Sequence, residues 1–206
     1  MGLRAKQKAD RRRRILDAAA KLFHETGFDA ARIEDIAERA EVSVGTVYNY
    51  FDTKGDILVA TVAIEVEEVL AQGALVIDNP PSNVGKALDR LIAGYYDHSL
   101  TYLSKQMWRT AVALSIQHPE ATFSKVYSDL DQRLCQQVSA LMERLRVDGI
   151  VRADVDTRAV GEMIFANLNM MFIEYVKDEQ MALDVMKLRV IRQNRPLARL
   201  ISTARL

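Results

Sequence analysis

Nine consecutive residues, Ser43-Val44-Gly45-Thr46-Val47-Tyr48-Asn49-Tyr50-Phe51, carry no charge in a chain where 27% of residues are Asp, Glu, Lys or Arg. Hydroxyl, amide and methyl groups are concentrated there, and these are the groups that read base edges in a DNA major groove, the thymine methyl included. A solvated helix face ordinarily carries Lys and Glu instead. With Val47 turned inward, the residues left facing outward are Val44, Gly45, Thr46, Tyr48, Asn49 and Tyr50. Upstream, residues 1–14 hold Arg4, Lys6, Lys8 and Arg11 to Arg14 against Asp10 alone. Such a run is either a solvated tail or an arm beside phosphates.

Other chemistry is hard to assemble from this sequence. His24, His98 and His118 are scattered and make no metal-ligand spacing. There is no phosphate-binding Gly-rich loop, nucleophile elbow or His-Glu-x-x-His motif. Catalysis, a metal and a cofactor are therefore not expected. Cys135 is the single cysteine and cannot close an internal disulfide. No run of 18 apolar residues exists, so no membrane span is expected, and the start lacks the apolar core of a signal peptide. A soluble, cytoplasmic protein is the expectation. A hydrophobic content of 49% with only 4 Pro argues for a folded core rather than disorder.

The elements that must hold the uncharged run are helical. Ile15, Ala18, Ala19, Leu22 and Phe23 fill an i, i+3, i+4, i+7, i+8 stripe. Gly27 should stop that helix in a left-handed conformation, with Phe28 packing back on Phe23. Short helices are expected at about 33–40 and 44–50. Ile36, Ala37 and Ala40 form the inner face of the first, Val42 plugs the turn, and Ser43 caps the second. Two helices crossing closely over small residues make a helix-turn-helix, whose second helix enters the major groove. A helical hairpin buried against another domain would read similarly.

Longer helices follow at about 54–77, 83–103, 105–117, 120–147, 157–177 and 180–193, with Pro196 breaking or kinking the last. Thr53 and Asp56 can form a capping box. No segment alternates apolar and polar residues, so no sheet is expected. The chain should be all-α, with a three-helix DNA-binding domain at 1–53 and a helical ligand-binding and dimerisation domain at 54–206, nine or ten helices in all.

The run Gly45-Thr46-Val47-Tyr48-Asn49-Tyr50-Phe51-Asp52-Thr53-Lys54 with Ile57-Leu58 resembles the signature of the tetracycline-repressor (TetR) family. Ile15-Leu16-Asp17-Ala18-Ala19, Leu22-Phe23, Gly27-Phe28 and Ile36-Ala37-Glu38-Arg39-Ala40 with Val42-Ser43 resemble it at the same spacing. The resemblance covers about the first 60 residues. It implies a DNA-binding regulator, with Tyr48 and Lys54 on phosphates. Val44, Gly45, Thr46, Asn49 and Tyr50 would lie at or near the bases, Ser43 at the DNA as well, and Arg13 and Arg14 beside the backbone. Three positions depart from the family pattern: Glu41 where Gly is common, Arg32 where a Thr N-cap is common, and Gly55 for an acidic or polar residue. A glutamate at 41 must take a left-handed conformation, at about 1 kcal/mol, or change the turn.

The resemblance also implies a homodimer joined through the last two long helices. Val160, Met163 and Met170 on one, and Leu183, Met186 and Val190 on the other, are the expected interface. A pocket for a small, largely apolar effector is expected among the fourth to eighth helices. Its candidate lining is Tyr95, His98, Tyr102, Met107, Trp108, Phe123, Tyr127, Asn167, Met171 and Tyr175. Asn167 is the sharpest of these, because an amide on an apolar helix needs a partner. The expected function is a ligand-responsive regulator, most simply a repressor, on a palindromic operator in double-stranded DNA. An all-helical carrier or enzyme, or a protein-interaction adaptor, would keep the body without the DNA role.

Overall fold

The computed structural model describes residues 2–203, and these form nine helices. They are α1 (Leu3–Thr26), α2 (Ile33–Arg39), α3 (Val44–Tyr48), α4 (Lys54–Asp78), α5 (Val84–His98), α6 (Lys105–Gln117), α7 (Thr122–Val147), α8 (Thr157–Lys177) and α9 (Leu183–Ile201). The only sheet-like feature among the described residues is an isolated antiparallel bridge between Val151 and Ser202. Among the described residues no helix is long and apolar enough to cross a membrane. Packing divides the chain into two compact units. One gathers Met1–Ile64 and Thr101–Ser128, the other Glu65–Leu100 and Asp129–Leu206.

Three differences from the sequence expectation lie outside the α2–α3 turn. First, α1 begins at Leu3, so the basic run is helical and occupies its first three turns. Burial starts only at Ile15, so that half is held by helix propensity, charge pairing and the contact of Arg12 with the Phe51 ring. Second, α5 stops at His98 rather than 103, with Ser99 as its C-cap. Third, Pro196 lies inside α9 and does not end it. A helix tolerates an interior proline, at a cost of about 3 kcal/mol, only when packing compensates. Here Val190, Asn194, Ala198 and Ile201 are buried on both sides of it.

In the first unit, α1 packs on α2 and α2 on α3. Ile15, Ala19, Leu22, Phe23, Ile36, Ala37, Ala40 and Val47 close their core. Gly27 has φ +82°, but its ψ of 160° is extended rather than left-handed helical. Phe28 still reaches back to Phe23, with ring centroids 5.2 Å apart. In the second unit α5 and α8 both pack on α9. At one crossing, between α7 and α8, a Cβ on Gly161 would stand 2.5 Å from the Cα of Ser139, so only glycine lets these backbones meet.

Candidate functional site

The geometry of the head follows from three local devices. Ser43 caps α3, its hydroxyl accepting the Thr46 N–H at 3.1 Å and lying 2.8 Å from the Thr46 hydroxyl. Glu41 takes φ +55°, the left-handed option, and is the only non-glycine residue with positive φ in the described chain. Its carboxylate lies 3.7 Å from the Arg14 guanidinium, an exposed pair that offsets little of the backbone strain. Thr53 and Asp56 form the capping box. The Thr53 N–H donates to Asp56 at 2.8 Å, and the Asp56 N–H to the Thr53 hydroxyl at 3.1 Å. Arg32, by contrast, supplies no cap to α2.

These devices present the outward residues as a set. Val47 is fully buried, while Ser43, Gly45, Tyr48 and Asn49 are exposed and Val44, Thr46 and Tyr50 half-buried. Regular α-helix ends at Tyr48, two residues short of expectation, with Asn49 as C-cap. Arg13 stays exposed with Asp17 at 3.9 Å, and Arg14 is half-buried. Arg12 was not singled out by spacing. Its guanidinium lies 5.5 Å from the centroid of the Phe51 ring, which fixes the basic half of α1 against the end of the recognition segment.

Lys54 is the main correction in this head. Expected on a phosphate, its ammonium instead donates to the carbonyls of Phe28 (2.8 Å), Asp29 (3.1 Å) and Ala31 (2.8 Å). It also lies 4.8 Å from the Phe28 ring centroid. An ammonium has three protons, and all three are used. Lys54 therefore clamps the α1–α2 connection to the start of α4. What remains for a phosphate is the positive N-terminal end of α4 itself. Gly55 has a packing reason as well. A Cβ there would stand 3.1 Å from the Phe123 ring, so the usual larger residue does not fit without moving it.

The candidate effector residues divide between the two units. Tyr102, Met107, Trp108, Phe123 and Tyr127 fall in the first. Met107, Trp108 and Tyr127 are buried, and Tyr102 is exposed. Phe123 covers Gly55 and lies edge-on to His118, which gives it a packing role at the base of the head. In the second unit, Tyr95 donates to Gln137 at 2.7 Å, and Gln137 donates onward to the Leu70 carbonyl at 2.8 Å. Tyr96 donates to the Leu168 carbonyl at 3.0 Å and stacks on Phe172. Burial holds both phenols above their usual range. Met171 and Tyr175 are buried on α8. His98 lies 2.9 Å from Glu68. Asn167 finds the partner its environment demands, donating to Asn194 of α9 at 3.4 Å.

Asp131 was missed. It lies on α7 one turn after buried Tyr127, on the stripe that continues to Val138, and that spacing was the available signal. Burial pushes its carboxyl up to about 6, and a hydrogen bond from Asn169 offsets this only partly.

The interface expectation is corrected in part. Met186 and Val190 are fully buried within their own chain and offer a partner no area. Met163 and Met170 are 63% and 56% exposed, and Val160 and Leu183 half-buried. Ala159 and Ala166 are also exposed and extend the Met163–Met170 line along α8. Val185, Leu188 and Leu200 are the exposed apolar residues of α9.

One long and two short helices, the short pair joined by a capped turn, define a helix-turn-helix protein. Residues 15–61 match the family of bacterial regulatory proteins described as the tetR family. The transcriptional repressor KstR of Rhodococcus jostii is 30% identical over 155 residues, covering 75% of this chain and 65% of that protein. KstR of Mycolicibacterium smegmatis is 41% identical over 63 residues, 31% of each. The chain thus spans under two thirds of these two relatives. The fatty acid metabolism regulator of Bacillus subtilis is 25% identical over 182 residues, covering 85% of this chain and 88% of that one. Among solved structures, a TetR-family regulator from Pectobacterium atrosepticum superposes with TM-score 0.76 at 18% identity, over 97% of both chains. B. subtilis FadR in complex with stearoyl-CoA gives 0.68 at 18% identity, over 87% of this chain and 95% of that one.

Proposed function

We propose that this protein is a ligand-responsive transcriptional repressor, acting in the cytoplasm rather than as an enzyme. In this reading residues 1–53 bind DNA, and residues 54–206 bind an effector and dimerise. The observation that carries it is the uncharged, outward set Ser43, Gly45, Tyr48 and Asn49, held over buried Val47 beside a helix whose first three turns hold seven cations. Base-reading groups flanked by phosphate-seeking charge divide the work as DNA-binding proteins do. The expected test is a selection of DNA fragments by the pure protein, giving an imperfect palindrome. Asn49→Ala should then narrow the gap between operator and random DNA by about tenfold. Equal loss on both would remove Asn49 from base reading.

The palindrome follows from a homodimer. We place its interface on Ala159, Met163, Ala166 and Met170 of α8 and on Val185 and Leu188 of α9, because this apolar area is uncovered in one chain. Light scattering should give twice the 23.2 kDa chain mass. A Met163→Glu, Met170→Glu double variant should give the monomer and lose operator binding. A concentration-independent monomer for the wild type would overturn the assembly and the palindrome with it.

The effector proposed is small and largely apolar. The buried aromatic and methionine residues of the body support this, and the B. subtilis neighbour's stearoyl-CoA offers an apolar acyl chain, although its coenzyme A part is large and charged. Control is proposed to run along α4, one continuous helix with Lys54 at its start. A ligand releases DNA only if it prefers the DNA-incompetent state. A coupling of about 1–3 kcal/mol corresponds to roughly 5–150-fold weaker operator binding, with the reciprocal effect on the ligand.

A further inference from the structure

A second site lies in the Glu65–Leu100 and Asp129–Leu206 unit and uses none of the residues assigned above to DNA, effector or dimer. Lys86 and Asp89 of α5, Arg152 of the α7–α8 connection, and Arg195, Arg199 and Thr203 at the end of α9 line an open cleft of about 1040 Å³. We propose that this cleft binds the phosphate groups of a small phosphate-bearing ligand.

The charge balance is the first reason. Four cations line the cleft, and Asp89 is the one acid among its lining residues. Arg152 is already committed to Asp154 at 2.7 Å and to the Leu200 carbonyl at 3.2 Å. Lys86 and Arg199 make no ion pair among the described residues, and Arg195 is opposed only by the attraction of Asp89. Like charges gathered in one concavity repel unless an anion joins them. Burial also holds Asp89 above the usual carboxylate range, which weakens the opposing charge at lower pH.

The second reason is the end of α5. Asn83 caps it, accepting the Lys86 N–H at 3.0 Å, and the first-turn amides of Val84 and Gly85 have no helical acceptor. Gly85 lets a ligand approach that backbone without a side chain in the way. The third reason is independent of both. Asn194 is 6% exposed, its carbonyl takes the Asn167 amide, and its Nδ2 has no acceptor. It borders a chamber of about 30 Å³ that shares Gly85, Asp89, Arg195 and Ala198 with the cleft. That chamber has room for one water or one ligand oxygen. A buried amide N–H left without an acceptor is costly, so an oxygen at that place is expected.

Phosphate is favoured over carboxylate because two guanidinium forks and an ammonium match a multiply charged, tetrahedral oxyanion. The wall that carries Arg199 and Thr203 is also fixed. Arg152 N–H donates to the Ile201 carbonyl at 2.9 Å, and Thr203 N–H to the Ile150 carbonyl at 3.0 Å.

The experiment is calorimetric titration of the full chain with inorganic pyrophosphate, with citrate at matched ionic strength as the comparison. Saturable pyrophosphate binding is expected, with citrate weaker. An Arg195→Gln, Arg199→Gln double variant should lose at least about tenfold in affinity, and Lys86→Gln should lose part of it. An Arg189→Gln, Arg192→Gln pair, exposed on the same helix but outside the cleft, should leave it unchanged. The proposal is overturned by an absence of saturable binding in the low millimolar range, by equal loss in the Arg189 and Arg192 variant, or by citrate binding as tightly. None of these outcomes bears on operator binding, which is measured separately.

Discussion

Lys54→Met should lower the melting temperature by about 5–10 °C and leave the salt dependence of DNA binding unchanged. The side chain's three protons are taken by the carbonyls of Phe28, Asp29 and Ala31. Removing a charged donor leaves these acceptors to find water, and the Phe28 ring loses its cation. Hydrogen bonds to charged groups are worth about 1.5–3 kcal/mol each when removed, and less where solvent can replace them. A cation over an aromatic ring adds about 0.5–1 kcal/mol. With two of the three bonds partly buried and the third exposed, about 2–3 kcal/mol in total is the expected loss, which for a chain of this size shifts Tm by a few degrees per kcal/mol. Operator affinity should fall for every sequence, because the start of α4 is no longer tied to the α1–α2 turn. A phosphate contact makes the opposite pattern, an unchanged Tm with the salt slope reduced by about one. That result would return Lys54 to the DNA.

The Lys54 case shows what the sequence could and could not carry. Local rules were legible: the Ser43 cap, the Thr53–Asp56 box and the strain at Glu41 all depend on residues within four positions of each other. The head's core was equally legible, since Ile15, Ala19, Leu22, Ile36 and Val47 follow a helical period. The destination of a long side chain was not. Lys54 reaches carbonyls 23 to 26 residues earlier, a contact that no spacing encodes. Met186 and Val190 failed as interface residues for the same reason. An apolar stripe says that something covers it, and only packing says whether that is the same chain or another. Pro196 by its rule breaks or kinks a helix, and α9 continues through it with burial on both sides. Gly55 looked like a departure in sequence and proved to be space for Phe123, which lies 68 positions away.

Asp131→Asn should stabilise the protein by about 3 kcal/mol at pH 7.5 and by nothing near pH 3.5. Burial in the second unit raises this carboxyl from an ordinary 3.8 to about 6, and the single amide donor, Asn169, offsets little of that. A raised carboxyl binds its proton more tightly folded than unfolded. Stability from the protonated form is therefore complete below the unfolded value and is lost as pH rises from about 4 through 6. A shift of this size is worth about 3 kcal/mol. Asparagine keeps the shape and removes the charge, so its advantage should grow across that window and level off above it. The carboxylates held low by arginines, exposed Glu67 by Arg133 and half-buried Glu143 by Arg146, act in the opposite direction, but they are common to both proteins. The difference between the two unfolding curves at each pH isolates Asp131. If Asp131→Asn is instead less stable at pH 7.5, the carboxylate is required in its charged form. It would then have a cationic partner in solution, and the α7–α8 face around Asp131 and Asn169 would become a recognition site rather than a strained one. A sensor helix carrying a carboxylate at a stability cost is the kind of local inconsistency that functional sites retain. Effector titrations at pH 5.5 and 7.5 on both proteins then separate the two. A ligand that hydrogen-bonds Asp131 loses its pH dependence in the variant, and one that does not keeps the same affinity in both.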